Sequence, residues 1–288
     1  MSNYTIFADS ACDLSADILN KWQVKYACLT FTFDDEGKEY LNDEMSPSDF
    51  YASIRSGKTA RTSAINVAAF KELFLDDLKD GKDVLYLGFS GGLSTTCNSA
   101  RIAAEELAEE FADRKVMVVD TLSASAGFGL LLYLAVCKRD EGASIEEVAR
   151  FVEEKRFNLC HWFTVDDLNH LKRGGRISPT VAFIGTVMGI KPVLHMDDEG
   201  HLINMFKVRG RKAAIKALAD KFGELAVDNT SGPVYISHGD CIDDANELAH
   251  IIEEEYKVKT DIITYVGPVI GAHSGPGTLA LFFVGKER

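Results

Sequence analysis

The 288-residue sequence predicts an α/β protein of two domains: an N-terminal domain with a mainly parallel sheet and helices on both faces, and a C-terminal domain of mixed α/β character. Three observations carry that expectation. Short β-rich runs alternate with helical patterns, as in βαβ units. The runs at residues 84–88 and 115–120 flank one obvious helix, which is the spacing of a parallel pair with its crossover. After Asn158 the texture changes, and a strand, a short helix and the Gly174-Gly175 break lead into a basic stretch. The boundary falls there, giving domains 1–158 and 159–288.

Each element follows from local pattern. Residues 4–8 and 25–33 are β-rich and read as the first two strands. Residues 67–78 form a helix preceded by the hydroxyls of Arg61-Thr62-Ser63. The helix at 95–112 places Ala100, Ala103, Ala104 and Leu107 on one face, with Glu105, Glu106, Glu109 and Glu110 largely outside that stripe, so its small face packs on a sheet. Residues 124–137 are apolar nearly all round, which predicts a helix buried on several sides. Residues 145–156 form an amphipathic, charged helix. Strands follow at 161–165, 192–196, 201–208, 234–237, 260–265 and 279–284, with helices at 166–172, 211–226 and 243–256. The Asp197-Asp198-Glu199-Gly200 segment reads as a hairpin turn, so the sheet edges of this second layer are expected to be antiparallel.

Composition excludes several function classes. With 44 acidic against 31 basic side chains and a net charge of -13, bulk charge argues against nucleic acid or an anionic membrane as partner, since both require a basic face. No apolar run reaches the ~18–20 residues of a membrane span, and no secretory leader opens the chain. Six scattered cysteines without a C-x-x-C pair suit reduced thiols in a cytoplasm. Charge is uneven, however. Residues 168–216 carry nine Lys or Arg against Asp197, Asp198 and Glu199, a local net of +6 (9 - 3).

Two motifs invite nucleotide or hydrolase chemistry. Gly57-Lys58-Thr59 resembles the tail of a phosphate-binding loop but has Ala52 where a glycine is needed, and reads better as a helix-terminating glycine. Gly88-Phe89-Ser90-Gly91-Gly92 matches G-x-S-x-G between a strand and a helix, and Asp240 and His273 follow in the chain order of an α/β-hydrolase triad. This makes a serine esterase or thioesterase using Ser90 with His273 the alternative reading. The preferred one is a glycine-rich loop feeding a helix whose first turn holds Ser94, Thr95 and Thr96, where unpaired N–H groups suit a carboxylate or phosphate. Thr62-Ser63 and the glycine-rich segment 271–278 with His273 are expected to converge on the same strand ends. Metal ligation has no support in the spacing of Asp9, Asp13 and Asp120.

Taken together, these loops resemble the DegV family of bacterial proteins. The matching pieces are Asp9-Ser10-Ala11-Cys12-Asp13-Leu14, Thr62-Ser63, Ser90-Gly91-Gly92-Leu93-Ser94-Thr95-Thr96, Val119-Asp120-Thr121 with the following Ser123 to Gly129, Leu171-Lys172-Arg173-Gly174-Gly175-Arg176-Ile177-Ser178, Lys191-Pro192-Val193-Leu194, Lys207-Val208-Arg209-Gly210 and the His273 segment. They span nearly the whole chain. Two positions depart from the family pattern: the proline usual after the Thr-Ser pair is absent in Thr62-Ser63-Ala64-Ile65, and Thr95 stands where a glycine is usual.

The resemblance implies a two-domain DegV-like architecture and a non-catalytic carrier. Such a protein binds a long-chain fatty acid in an apolar pocket and presents it to a separate fatty acid kinase, which converts the carboxylate to an acyl phosphate. It implies a cytoplasmic protein with no cofactor or metal of its own, no nucleic-acid partner, and at most transient membrane contact. Carried over by position, Thr62, Ser94, Thr95 and His273 would hold the carboxylate, while Arg176 and Arg209 would flank the pocket mouth and face the kinase. The expected acyl lining is Phe183, Ile184, Val187, Met188 and Ile190 with the apolar helix around residues 128–134.

Overall fold

The computed structural model describes residues 3–177, 189–227 and 232–288. Strand β1 (Tyr4–Asp9) ends in a 3-10 turn (Ser10–Cys12) and is followed by α1 (Ala16–Lys21), β2 (Val24–Ala27), β3 (Thr30–Phe33), β4 (Glu39–Leu41), α2 (Pro47–Arg55) and β5 (Ala60–Ser63). Next come α3 (Val67–Lys79), β6 (Asp83–Gly88), α4 (Thr96–Glu110), β7 (Val116–Asp120), α5 (Ser125–Asp140) and α6 (Ile145–Lys155). The remainder comprises β8 (Leu159–Thr164), α7 (Leu168–Arg173), β9 (Ile190–Met196), β10 (Leu202–Arg209), α8 (Arg211–Leu225), β11 (Tyr235–His238), α9 (Ile242–Tyr256), β12 (Ile262–Tyr265), α10 (Pro268–Ser274) and β13 (Leu279–Val284). Among the described residues no helix is long and apolar enough to cross a membrane.

The α/β class is the predicted one. A four-stranded sheet of order β2-β1-β6-β7 is parallel throughout, and β1 and β6 are buried along nearly every residue, so helices cover both faces. From β1 the chain passes to β2 on one side, and later to β6 and β7 on the other. The carboxyl ends of β1 and β6 are therefore the crevice where open α/β sheets place ligands.

A mixed six-stranded sheet, β10-β9-β8-β13-β11-β12, takes all its strands from the chain after Asn158. The turn at Asp197–Gly200 does join an antiparallel pair, with Asp197 N–H bonded to the His201 carbonyl and Gly200 at φ 80°. Only that edge is antiparallel; at the other, β12 pairs parallel to β11.

Helix α5 joins the two sheets. A Cβ on Gly127 would lie 2.6 Å from the Phe282 ring and 2.7 Å from the His161 ring, and one on Gly129 would lie 2.9 Å from the Cys12 carbonyl. The two glycines thus let opposite sides of one helix approach β8 and β13 on one hand and the end of β1 on the other. This is the helix buried on several sides that the all-apolar pattern predicts.

Three local expectations are corrected. Residues 25–33 are not one strand: β2 joins the parallel sheet, and β3 joins a separate antiparallel sheet, β4-β3-β5. The break is tertiary, because Leu29 donates its N–H to Ser10 Oγ (3.0 Å) and accepts from Asn42 N–H (3.0 Å). Arg61-Thr62-Ser63 is strand β5 rather than a loop, and His273 sits in the last turn of α10. Gly57 terminates α2 with φ 102°, as expected of a helix-ending glycine.

Candidate functional site

A cavity of about 510 Å³ opens at the crevice defined by β1 and β6, a size typical of small-molecule sites. Its floor is one face of the six-stranded sheet. Phe163 of β8 pairs with Ala280 of β13, which pairs with Ser237 of β11, and Phe282 pairs with His161. Alternation along each strand puts Thr278, Ala280 and Phe282 on that same face, and all of these side chains line the cavity. Its roof includes Leu29, the segment from Thr62 to Ala64, the loop from Gly91 to Thr95, and Val269 and Ile270 of α10.

The loop between β6 and α4 is held by two carboxylates. Buried Asp9, at the end of β1, accepts from Phe89 N–H (2.9 Å), Ala11 N–H (3.0 Å) and Tyr86 Oη (2.5 Å). Asp120, at the end of β7, accepts from Gly91 N–H (3.0 Å) and Leu122 N–H (2.9 Å). Both stand in the family-matching motifs, but sequence reasoning assigned them no role beyond arguing against a metal site. Their place at the ends of strands flanking a glycine loop was the available signal, since such loops expose N–H groups needing acceptors. The β9–β10 turn closes over the same loop, with Ser90 Oγ donating to the Gly200 carbonyl at 2.8 Å.

Thr62, Ser94, Thr95 and His273 all line the cavity. Thr62 Oγ1 and His273 Nε2 are 2.8 Å apart. The His273 ring abuts Gly174, where any Cβ would collide with Nδ1. Arg176 donates to the Gly174 carbonyl (2.5 Å) and to the Leu93 carbonyl (3.1 Å), which links the imidazole to the start of the Ser94 turn. Ser94 Oγ bonds Thr96 Oγ1 (2.9 Å) and accepts from Thr96 N–H (3.2 Å), so it satisfies the first N–H of α4 from just outside the helix while lining the cavity.

Burial, reinforced by the Arg176 charge, pushes the His273 imidazole down to about 4. It is neutral at pH 7, able to donate through one nitrogen only. Because the folded value lies below the ordinary 6.5, this contribution to stability is present above pH 6.5 and is lost as pH falls toward 4. Histidine-selective NMR should therefore find the His273 ring neutral at pH 5.5, and a midpoint at 6 or above would contradict the geometry.

Farther along the cavity, Ser125 Oγ donates to Asp13 Oδ2 (2.5 Å) and lies 2.9 Å from Ser237 Oγ. Burial pushes the Asp13 carboxyl up to about 7 and that of Asp9 up to about 6. His161, also on the wall, pairs with Ser123 Oγ and the Leu159 carbonyl, and burial holds it well below the usual imidazole range. Neither Ser237 nor His161 was singled out from sequence, and Ser125 entered only within the family-matching piece from Ser123 to Gly129.

The remaining expected site residues divide between positions off the cavity lining and positions outside the described residues. Arg209 is exposed at the end of edge strand β10 and does not line the cavity. Phe183, Ile184, Val187 and Met188 lie outside the described residues. Ile190 opens β9 away from the cavity wall, and of α5 only Ser125, at its start, reaches the lining; Phe128, Leu130, Leu131 and Leu132 are core, and Tyr133 and Leu134 are half-buried.

The hydrolase constellation is not assembled. Ser90 Oγ is fully buried on the Gly200 carbonyl, Asp240 pairs with Arg55 (2.9 Å), and His273 pairs with Thr62. Fluorophosphonate treatment is expected to leave Ser90 unmodified. Labelling that disappears in Ser90→Ala would contradict this placement.

Comparison with known proteins places these features among relatives. The family model described as "Uncharacterised protein, DegV family" matches residues 3–286. A DegV domain-containing protein of Clostridium perfringens is 43% identical over 100% of this chain and 99% of its own length. Among solved structures, a DegV lipid binding protein from Thermotoga maritima superposes with a TM-score of 0.86 at 33% identity, covering 100% of both chains. A fatty-acid-binding DegV family protein from Thermus thermophilus gives 0.87 at 30% identity, covering 98% of this chain and 99% of the other.

Proposed function

The chain belongs to the DegV family, and from that premise we propose that it binds one long-chain fatty acid in the cavity and presents the carboxylate to a separate fatty acid kinase. The observation that carries this reading is the cavity's composition. Neutral donors cluster at Thr62, Ser94, Thr95 and His273, and aromatic and aliphatic side chains such as Phe163, Phe282, Met196 and Leu202 form the wall. The solved relatives from Thermotoga maritima and Thermus thermophilus support the ligand class. Burying about fourteen methylenes at ~0.8 kcal/mol each supplies roughly 11 kcal/mol before ordering costs.

An ionised carboxylate at the end of an apolar cavity needs partners. With the proton on Nε2, His273 donates to Thr62 Oγ1 and frees the Thr62 hydroxyl to donate to the ligand. Among the described residues Thr95 N–H meets no protein acceptor, and it adds a backbone donor beside the start of α4. Hydroxyls, that of Thr62 oriented by the neutral imidazole, hold the anion without a tight ion pair, so an oxygen lone pair stays available to attack the γ-phosphorus of ATP on the kinase, releasing ADP and leaving an acyl phosphate.

In this reading residues 1–158 supply the head-group loops. Residues 159–288 supply His273, the acyl floor and a basic partner-facing surface that includes Arg176 and Arg209. Exposed Arg209 suits an acidic patch on the kinase. Arg209→Ala is expected to leave fatty-acid retention intact and to slow kinase-dependent acyl phosphate formation by about tenfold. Loss of lipid from a folded Arg209→Ala protein would show that the residue belongs to the pocket instead.

A further inference from the structure

We propose that the cavity contains a second polar subsite, formed by Ser125 and Ser237 and backed by Asp13, that accepts a hydroxyl group on the acyl chain; the favoured ligand is then a hydroxylated long-chain fatty acid. The proposal rests on the fatty-acid reading and adds a specificity to it.

The subsite is separate from the carboxylate end. Asp13 lies beneath Gly267, where a Cβ would be 2.7 Å from its Oδ1, and Gly267 is the N-cap of α10. His273 is six residues farther along that helix, roughly 9 Å away at 1.5 Å per residue. Ser237 is fully buried, Ser125 is 5% exposed, and both line the cavity. An apolar chain passing there would meet hydroxyl oxygens beside the apolar Phe163, Ala280 and Phe282 of the same floor.

Proton counting gives the subsite its polarity. With Asp13 ionised, the single Ser125 proton goes to Asp13 Oδ2, so in the 2.9 Å contact between the serines the donor is Ser237. The Ser237 oxygen then has its proton committed and its lone pairs free toward the cavity. It needs a donor, and a methylene offers none. A buried acceptor left without a partner is costly, whereas an alcohol O–H at the right carbon satisfies it and also recovers the hydroxyl's own desolvation cost. Ser274 Oγ, likewise on the cavity wall and 4% exposed, has no hydrogen-bond partner at all, so the cavity's polar capacity exceeds what the protein itself satisfies.

The test offers the purified protein, at pH 8 where Asp13 is ionised, an equimolar mixture of stearic acid and hydroxystearic acids bearing the hydroxyl at successive carbons, and quantifies the retained acids by mass spectrometry. One mid-chain isomer is expected to be retained about tenfold or more over isomers with the hydroxyl elsewhere. In Ser237→Ala that positional ratio should fall to near one, and Ser125→Ala should act in the same direction. Equal retention of all isomers, as a water filling the subsite would give, overturns the proposal. So does a positional preference that survives both substitutions. Retention of stearic acid with rejection of every hydroxylated isomer overturns the subsite alone, while retention of no acid overturns the fatty-acid reading with it.

Discussion

His273→Ala is expected to weaken retention of a long-chain fatty acid by at least about tenfold, and by up to about a hundredfold, because a hydrogen bond within a carboxylate's donor set is worth ~1.5–3 kcal/mol. The imidazole does two things here. It fixes the Thr62 hydroxyl at 2.8 Å, and it fills the space against Gly174 that nothing larger than glycine leaves open. Alanine removes the partner of Thr62 and admits water beside the ligand's anion. His273→Gln, which keeps a donor of similar reach, should recover part of the loss; Thr62→Val should reproduce most of it. Fluorescent fatty-acid displacement measures all three. A Kd for His273→Ala within twofold of the parent would mean that the carboxylate does not sit at this imidazole.

The second large effect concerns Gly127. A side chain there meets the rings of Phe282 and His161 at 2.6 and 2.7 Å, both on the rigid floor of the cavity. Gly127→Val gains helix propensity over glycine but must displace two buried rings, and overpacking of this kind costs ~1–3 kcal/mol or more. Thermal unfolding should drop by several degrees, at roughly 2–4 °C per kcal/mol for a protein of this size class. Acyl retention should fall as well, because Phe282 is pushed into the space the chain would occupy. An unchanged melting temperature would indicate that α5 does not press on the six-stranded sheet as described.

The alternation of strands and helices was legible because β1, β6, β8 and β13 are buried on both faces and therefore read as continuous apolar runs. The three-stranded sheet was not. Its strands have three or four residues each, and the kink that separates β2 from β3 comes from Ser10 and Asn42, contacts invisible to local pattern. Helix α10 carried its own signals, Pro268 at its first position and Gly275 after its end, but seven residues are too few for helical periodicity to outweigh a glycine-rich composition.

Within the site, Thr62, Ser94, Thr95, Arg176 and His273 followed from motif resemblance, and the cavity collects them all. Arg209 came by the same route and stands apart on the sheet edge. What the motifs did not reveal are groups that act through others: Asp9 and Asp120 on the loop N–H groups, and the Asp13, Ser125 and Ser237 chain. Their partners are 29 to 112 positions away in sequence, so only the tertiary arrangement shows what they hold. The positive local charge is likewise partly internal, since Lys191 and Arg211 both meet Asp166. Exposed Arg209 remains on the surface where the kinase is expected to dock.

The central claim is tested most directly by mass spectrometry of the protein purified from bacteria, first native and then denatured. The account predicts one long-chain fatty acid per chain, held under native conditions and released on denaturation. Preparations that show the bare polypeptide mass in the native spectrum and no fatty acid after denaturation would contradict it.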